Sequence, residues 1–319
     1  MANEITIAAV DVGTNSVKMI VATRYADNTL SVLYDGTTIT RLGRGVDAGG
    51  RIADDAARRT VDALATFGET ARSHGASVVA AVGTSALRDA VNGAAVAADA
   101  ERALGGSLEI IAGRREAELT FGAAHGDPDI VTLLPANPLL VTCDIGGGST
   151  EIVQGIGGDI FYAESLQIGA VRLSERARIG DPVTAEAFQS AVLLATTAVA
   201  DVPTPLAALE PILVASGGTA ANLAAMQVAA SGHAPAFGTV HGFRLTREQV
   251  ETHTAYLASL PLSERRAVPG LEPDRADVIV AGAIILGRVM ARIGVADCVV
   301  SLRGLRYGLL YELLQASEQ

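Results

Sequence analysis

Short apolar runs alternate along this chain with polar, amphipathic stretches. The runs are rich in β-branched residues and are bounded by glycine, aspartate or proline, which is typical of buried strands. We predict strands at residues 5–10, 17–22, 30–38, 77–82, 108–111, 139–143, 151–155, 159–165, 211–215 and 298–301. We predict helices over 54–73, 92–104, 170–178, 184–200, 246–259, 275–293 and 306–314, and two more that begin near 113 and 219. This alternation predicts an α/β fold.

The length of 319 residues allows two domains of ordinary size. A polar, proline-bearing stretch at 126–138 separates two series of strands, so we place the domain boundary there, between 1–125 and 126–302. Apolar residues make up 49% of the chain and tryptophan is absent. The cores must therefore be built from alanine, valine, leucine and isoleucine.

The net charge of −11 argues against a nucleic-acid-binding protein with a broad basic face. Cys143 and Cys298 both lie in apolar runs and are predicted to be buried side chains, not a disulfide or a zinc site. No run of 18 apolar residues predicts a membrane span, and the N-terminus lacks the basic segment of a signal peptide. We therefore expect a cytoplasmic protein that does not bind membranes.

The stretch Leu139–Val153 carries the first chemical signal. An apolar strand ends at Asp144, three glycines follow, and then come two hydroxyl residues and Glu151. Glycines let the backbone turn tightly and approach a ligand, and successive N–H groups in such a turn can bind an anion. Asp144 is placed to hold a cation beside that anion. By itself the stretch fits a glycine-rich hairpin turn about equally well.

The same pattern occurs near the N-terminus. Asp11-x-Gly13-x-x-Ser16 has the spacing of Asp144-x-Gly146-x-x-Ser149, and each follows an apolar strand. Two copies 133 residues apart predict two halves of similar design. For Asp11 the alternative remains open that it bonds to the backbone of its own turn.

A repeated strand, aspartate and glycine turn resembles the actin-like ATPase superfamily, and more specific residues narrow the resemblance. Five stretches are informative: Val10-Asp-Val-Gly-Thr-Asn-Ser16, Val82-Gly-Thr-Ser-Ala-Leu-Arg88, Ile110-Ile-Ala-Gly-Arg-Arg-Glu-Ala-Glu-Leu119, Asp144-Ile-Gly-Gly-Gly-Ser-Thr-Glu151 and Ser301-Leu-Arg-Gly-Leu-Arg306. In these stretches and in their order the chain is similar to the exopolyphosphatase / guanosine pentaphosphate phosphohydrolase family.

The resemblance implies an actin-like (ribonuclease H-like) fold of two similar α/β domains, with the site in the cleft between them. It implies that the helix over about 303–319 packs back on the first domain, and that the protein is a homodimer. Family members use Mg²⁺ and water to remove the terminal phosphate of polyphosphate or of guanosine pentaphosphate. The phosphates would be bound by Gly13, Thr14, Asn15, Ser16, Gly146, Gly147, Gly148, Ser149 and Thr150.

The resemblance also suggests roles for single residues. Asp144 is the expected Mg²⁺ ligand, with Asp11 second, since Mg²⁺ is usually bound by one or two carboxylates plus water and substrate oxygens. Glu116 aligns with the second Glu of the family's Gly-x-Glu-Glu-Ala stretch and is the expected general base. Arg115 departs from that stretch, where an acid is usual; it would change the local electrostatics or place a cation near an anionic substrate.

Other residues carry weaker signals. Glu151 is expected to orient water or metal, and Arg88 to clamp a phosphate with its guanidinium. Arg41 and Arg44 fit a solvated loop better than a binding site. The stretch Ser216-Gly-Gly-Thr219 resembles the superfamily's adenosine-binding turn without establishing nucleotide use. The five histidines have no metal-ligand spacing.

We therefore predict a phosphoric anhydride hydrolase, an exopolyphosphatase. Longer family members append a C-terminal His-Asp domain, so this chain is expected to be a short form with altered grip on long chains and on guanosine pentaphosphate. The alternative is a phosphohydrolase of guanosine pentaphosphate, ATP or ADP. A small-molecule kinase would need an acceptor for turnover. A phosphate or nucleotide sensor would bind without turnover.

Overall fold

The computed structural model describes residues 4–206, 209–234 and 237–317. These residues form two compact units. The first comprises the chain up to Ala123 and from Leu305 onwards, and the second is Ala124–Gly304. Each unit is built around one mixed β-sheet with helices, so the predicted α/β class is confirmed.

The elements are numbered along the chain. The strands are β1 (Ile5–Val12), β2 (Ser16–Arg24), β3 (Leu30–Ile39), β4 (Val78–Gly83), β5 (Ser107–Ile110), β6 (Leu139–Ile145), β7 (Thr150–Ile156), β8 (Asp159–Leu166), β9 (Ile212–Ser216), β10 (Arg244–Thr246) and β11 (Asp297–Val300). The helices are α1 (Val46–Gly49), α2 (Asp54–Ser73), α3 (Ser85–Asp89), α4 (Gly93–Leu104), α5 (Gly113–His125), α6 (Pro128–Val131), α7 (Ala170–Arg176), α8 (Ala185–Ala198), α9 (Gly217–Ala230), α10 (Arg247–Ser259), α11 (Leu262–Arg265), α12 (Ile279–Ile293) and α13 (Leu305–Ala316).

The sheet of the first unit has the strand order β3-β2-β1-β4-β5. Its central strand β1 is buried on both faces because its side chains alternate between two cores. Ala8, Val10 and Val12 point into the core that α2 and α4 cover. Ile7 and Ala9 point into the core that α5 and α13 cover. Asp11 continues this second series, so it lies on the face that α5 covers.

Helix α13 packs on β1 and β2 of the first unit through leucines such as Leu309 and Leu310. Its first turn is also held by an ion pair. Arg306 donates from Nε and Nη2 to the two carboxylate oxygens of Asp35, each over 2.9 Å, and the Tyr307 hydroxyl donates to Asp35 over 2.9 Å. A two-pronged guanidinium–carboxylate contact fixes orientation as well as distance, so it sets how the helix begins.

The sheet of the second unit has the order β10-β11-β9-β6-β7-β8. Strand β6 pairs antiparallel with β7 and parallel with β9. One large core forms on the face to which Val141, Cys143 and Ile145 point, and α12 contributes to it along its whole length. Both cysteines are buried there as free thiols, as predicted, and burial raises the pKa of Cys143 well above its usual value and that of Cys298 to about 12.

The two sheets share one design. The order β3-β2-β1-β4-β5 in the first unit corresponds to β8-β7-β6-β9-β11 in the second, with parallel and antiparallel pairs in the same places. The repeat that the sequence predicted is therefore a repeat of strand order. The additional edge strand β10 was not predicted, because three residues are too few to display an alternating pattern.

Helix ends follow local chemistry. Thr184 accepts a hydrogen bond from the N–H of Ala187 at the start of α8, which is the usual contact of an N-cap threonine. The predicted helix over 275–293 begins at Ile279 instead, because Pro273 opens a separate short 3-10 turn that ends at Arg275. None of the helices in the described residues is long and apolar enough to cross a membrane.

Candidate active site

The two glycine turns that the sequence singled out have the same backbone geometry. In the first, the Gly13 N–H donates to the Ser16 carbonyl over 3.0 Å, and in the second the Gly146 N–H donates to the Ser149 carbonyl over 3.0 Å. Each turn joins the central strand of its sheet to an antiparallel neighbour. The sequence repeat therefore corresponds to a repeated hairpin turn.

The first turn is held from behind by the segment that follows β3. The N–H of Gly43 donates to the Thr14 carbonyl, and those of Thr40 and Arg41 donate to the Asn15 carbonyl, over 2.8–3.1 Å. In a trans peptide the N–H points opposite to the C=O. The Thr14 carbonyl and the Asn15 N–H belong to the same peptide group. Because the carbonyl is directed towards this segment, the N–H of Asn15 points away from it and can bind an anion.

The second turn is held by the start of α7. The Gly146 carbonyl accepts from Ala170, and the Gly147 carbonyl accepts from Val171 and Arg172. By the same rule, the N–H groups of Gly147 and Gly148 point away from α7. Gly169 must be glycine, because a Cβ there would lie 2.5 Å from the Gly147 carbonyl group.

The polar side chains of the turns differ in what they can offer. The Asn15 side-chain nitrogen Nδ2 is buried and has no hydrogen-bond partner among the described residues. The Thr150 hydroxyl, in contrast, donates to the Ile168 carbonyl over 2.6 Å. The hydroxyl proton of Thr150 is therefore engaged in this contact within the protein and is not available as a donor to a phosphate.

A row of four polar residues crosses the sheet of the second unit beside its turn. Ser165 pairs with Glu151, Glu151 with Asp144, and Asp144 with Ser216, on strands β8, β7, β6 and β9. Side chains in paired positions lie on the same face of a sheet. Asp144 and Glu151 are therefore two carboxylates that face each other, and both are more than 90% buried. The Ser165 hydroxyl donates to Glu151 over 2.7 Å.

The corresponding row of the first unit has a different charge pattern. Asp11 pairs with Lys18 across the hairpin, and their side chains form an ion pair with a distance of 3.5 Å between Nζ and Oδ2. On its other side Asp11 pairs with Val82. Lys18 thus holds the place that Glu151 holds in the second unit, and Val82 holds the place of Ser216.

The row in the second unit fits a divalent cation. Two buried carboxylates that face each other repel unless a positive charge lies between or beside them. The Asp144 carboxylate forms no hydrogen bond or ion pair with any described residue, and Gly304 leaves space beside it. Oxygen ligands of this kind suit Mg²⁺. Asp11 fits less well, because Lys18 already supplies a cation.

Glu116 lies in the first turn of α5, on the helix that covers the Asp11 face of the first sheet. Its carboxylate is almost fully buried. Arg88, at the end of α3, donates from Nη1 to Glu116 Oε2 over 3.2 Å and to the Ile111 carbonyl over 3.0 Å. The other terminal nitrogen of Arg88, Nη2, is buried and has no hydrogen-bond partner among the described residues. Arg88 therefore fixes Glu116 and retains donors for a ligand.

The other cations near these motifs have structural partners or backbone roles. Arg115, which departs from the family pattern, forms an ion pair with Glu312 on α13. Arg41 adopts a left-handed backbone with φ of 52°, which lets its N–H reach the Asn15 carbonyl. Both residues support the fold of the first unit.

A second group of possible metal ligands consists of Asp127, Asp129 and His241, whose ligand atoms lie within 4.8 Å of one another. Arg303 already donates to both aspartates. Burial raises the pKa of Asp127, but the adjacent His241 and Arg303 lower it by more, so Asp127 is held ionised. Because the guanidinium supplies the compensating charge, we assign this group to structure. It ties the segments at 127–129, 241 and 303 together.

The Ser216–Thr219 turn opens α9 in the second unit. The Arg275 guanidinium covers Gly218 so closely that a Cβ at that position would lie 2.2 Å from Nη1. Glu272 pairs with Arg275 and accepts from the Asn222 side chain over 3.0 Å. The face of the turn at Gly218 is thus occupied by the protein itself.

Comparison with known proteins agrees with the sequence motifs. The profile of the Ppx/GppA phosphatase family matches residues 20–317. The chain belongs to the Ppx/GppA phosphatase family. Exopolyphosphatase 2 of Mycobacterium tuberculosis is 36% identical over 292 residues, which cover 88% of either chain. The guanosine-5'-triphosphate,3'-diphosphate pyrophosphatase of Vibrio cholerae is 29% identical over 314 residues, or 98% of this chain and 60% of that protein.

Solved structures of Ppx/GppA proteins have the same fold. The Aquifex aeolicus family member superposes with a TM-score of 0.80 at 28% identity and covers 99% of this chain and 100% of its own. An exopolyphosphatase from Cytophaga hutchinsonii gives 0.84 at 25% identity, with 98% of each chain covered. The predicted family, the actin-like fold and the assignment to phosphoanhydride-hydrolysing enzymes are confirmed at this level.

Sequence reasoning missed Lys18, whereas Glu151 was expected to orient water or metal. Lys18 and Glu151 each lie seven residues after the aspartate that they face, so this spacing in the sequence already contains the difference in charge between the two turns of the Ppx/GppA protein. Ser216 had a fainter signal, as the residue that directly follows the predicted strand at 211–215 and begins a glycine turn.

Proposed function

We propose that this Ppx/GppA protein is an exopolyphosphatase that hydrolyses the terminal phosphate of inorganic polyphosphate with the help of Mg²⁺. The observation that carries the proposal is the pair of facing, buried carboxylates Asp144 and Glu151 beside a turn whose N–H groups are free to bind an anion. Carboxylates that hold a cation next to an anion-binding turn suit a phosphoanhydride substrate.

Polyphosphate resists hydrolysis mainly because its negative charge repels nucleophiles, so catalysis depends on positioning and charge neutralisation. In this proposal the N–H groups of Asn15, Gly147 and Gly148 bind phosphate oxygens. The carbonyls of the same peptide groups, those of Thr14, Gly146 and Gly147, accept hydrogen bonds from the protein behind each turn, so the N–H dipoles are already oriented before the substrate arrives.

Glu116 is proposed to accept the proton of the attacking water. Arg88 keeps its carboxylate in place through the 3.2 Å contact. Arg88 Nη2 would bind an oxygen of the phosphate that is transferred. In this way one guanidinium would orient both the base and the electrophile.

Mg²⁺ would be held by Asp144, with Glu151 beside it and Asp11 in a lesser role. When bound, the ion would neutralise charge on the phosphate oxygens. The Ser165 hydroxyl keeps the Glu151 side chain oriented through its hydrogen bond to Oε1.

Arg275 favours inorganic polyphosphate over a nucleotide. The turn that resembles an adenosine-binding turn is covered at Gly218 by this side chain, and Glu272 and Asn222 hold it there. A nucleoside would have to displace that set of contacts. The name of the Vibrio cholerae relative nevertheless makes guanosine pentaphosphate the alternative substrate.

The test is phosphate release with Mg²⁺ from polyphosphates of several lengths, guanosine pentaphosphate and ATP, each without an added acceptor. We expect the largest kcat/KM for polyphosphate, and Asp144→Asn should lower it by at least ~10²-fold. Asp159→Asn, at an exposed position of β8, should keep full activity. Phosphate release from nucleotides alone would overturn the choice of substrate. If none of the substrates releases phosphate, the protein binds phosphates without hydrolysing them and the proposed function is wrong.

The role of Arg275 has its own test. Arg275→Ala should raise the ratio of kcat/KM for guanosine pentaphosphate to that for polyphosphate, because it uncovers the turn. An unchanged ratio would show that Arg275 does not influence the choice of substrate.

A further inference from the structure

The Ser216 side chain carries a buried hydroxyl that makes none of the hydrogen bonds expected at its position among the described residues. Ser216 ends β9 and occupies the N-cap position of α9, where a serine normally accepts a hydrogen bond from the first turn of the helix. Here it makes no such bond. Its Oγ is buried and finds no hydrogen-bond partner among the described residues. A buried hydroxyl left in this way destabilises the folded protein unless a ligand or water satisfies it.

The hydroxyl lies beside the Asp144 carboxylate. Ser216 pairs with Asp144 in the parallel β6–β9 ladder, so the two side chains share a face of the sheet. Gly304 borders both: a Cβ at that position would lie 3.1 Å from Asp144 Oδ2 and 3.8 Å from Ser216 Oγ. Since residue 304 has no side chain, one small space adjoins both oxygen atoms.

The fold does not require a hydroxyl at this position. In the first unit the equivalent strand position is Val82, which pairs with Asp11 as Ser216 pairs with Asp144. Val82 is found in the unit in which Lys18 neutralises Asp11. Ser216 is found in the unit in which the aspartate, Asp144, faces a second carboxylate instead.

We propose that Ser216 is a positioning residue of the Asp144 site, whose hydroxyl donates a hydrogen bond to a water molecule bound to the cation that Asp144 holds. This inference rests on the proposed function, because it takes Asp144 as the cation ligand. A partner of this kind orients the water around a metal ion and thereby strengthens its binding.

The test measures cation binding without substrate, by Mn²⁺ electron paramagnetic resonance and by calorimetry with Mg²⁺. Ser216→Ala should weaken Mn²⁺ binding about tenfold, whereas Ser216→Thr, which keeps the hydroxyl, should bind within about threefold of wild type. Thr142→Val is the matched control, since Thr142 lies on the same strand as Asp144 and its Oγ1 is also buried with no hydrogen-bond partner in the part of the chain that the structure describes. Its affinity should equal that of wild type.

The outcomes separate this inference from the proposed function. If Asp144→Asn abolishes Mn²⁺ binding while Ser216→Ala binds as tightly as wild type, the role of Ser216 is wrong and the cation site stands. If Asp144→Asn binds Mn²⁺ like wild type, the cation site is wrong and the inference about Ser216 falls with it. If Mn²⁺ affinity falls equally in Ser216→Ala and Thr142→Val, the loss reflects a general change in packing and the inference is overturned.

Discussion

The Arg88 guanidinium contacts the Glu116 carboxylate with one nitrogen and keeps the other, Nη2, without a partner among the described residues. The contact joins α3 to the first turn of α5, from residues 28 positions apart. The first nitrogen also donates to the Ile111 carbonyl, so the guanidinium is fixed by the protein before any ligand binds. The carboxylate and the guanidinium are thus positioned as a unit.

Glu116→Gln should lower kcat for polyphosphate by about 10²–10⁴-fold, because an amide cannot accept the proton of the attacking water. The folded structure should persist, since glutamine preserves the size of the side chain. The matched control is Glu118→Gln on the same helix, where Glu118 forms a surface pair with Arg114. Steady-state kinetics of both variants decide the assignment, and a Glu116→Gln enzyme with wild-type kcat would refute it.

Arg88→Lys should raise KM and lower kcat together, by about 10²-fold in kcat/KM, because lysine carries its donors on a single nitrogen and lacks the planar fork of the guanidinium. Arg102→Lys, in an exposed pair with Asp99, should match wild type. Because Arg88 and Glu116 act as a unit, the double variant Arg88→Lys/Glu116→Gln should lose less than the product of the single losses. Full additivity would mean that the two residues act independently.

Gly169→Ala tests whether the second turn must keep its shape. The new Cβ would lie 2.5 Å from the Gly147 carbonyl, so the backbone of the turn has to move. Misplacing binding groups by about 1 Å can cost on the order of 10²-fold in rate. We therefore expect kcat/KM of Gly169→Ala to fall by about 10²-fold. Gly122→Ala on α5, where a Cβ meets no atom within 4 Å, should keep activity and stabilise the protein by about 0.5–1 kcal/mol.

His253 should make stability depend on pH. It is buried on α10, its Nε2 lies 3.0 Å from Gln227 Oε1, and burial lowers its pKa. The unfolded chain, with a histidine pKa of about 6.5, therefore takes up the proton first as pH falls. The neutral His253 therefore makes its full contribution to the free energy of unfolding above about pH 6.5, and this contribution is lost as the pH falls below that value.

The measurement is the melting temperature of wild type and of His253→Gln between about pH 7.5 and about pH 5.5, a window that spans about one unit on either side of that pKa. The decrease at low pH should be smaller in the variant. His233→Gln, at an exposed position, should follow the wild-type curve. Parallel curves for His253→Gln and wild type would contradict the prediction.

The Asp35–Arg306 pair should stabilise the first unit. Arg306→Met removes both hydrogen bonds from Arg306 to Asp35 and keeps that from Tyr307. With partial exposure taken into account, we expect a loss of about 1–2 kcal/mol, seen as a lower melting temperature. Arg244→Met, which removes a surface pair with Asp297, should cost less than about 1 kcal/mol. Equal melting temperatures for the two variants would argue against an anchoring role.

Local physics determined much of this protein from its sequence. Apolar runs ended by Asp11 or Asp144 and followed by glycine specify a buried strand and a tight turn, whatever surrounds them. The two copies of that pattern predicted the repeated design, and the motif order predicted the family. Helix starts such as Thr184 were also readable, because a cap involves residues only a few positions apart.

Tertiary structure decided which aspartate suits a cation, and through which contacts. Strand register sets Lys18 opposite Asp11 and Glu151 opposite Asp144, and that difference in charge, not the shared motif, distinguishes the turns. The contacts Arg88–Glu116 and Asp35–Arg306 join distant parts of the chain. No local propensity encodes them, because they form only when packed helices and strands bring the side chains within hydrogen-bond reach.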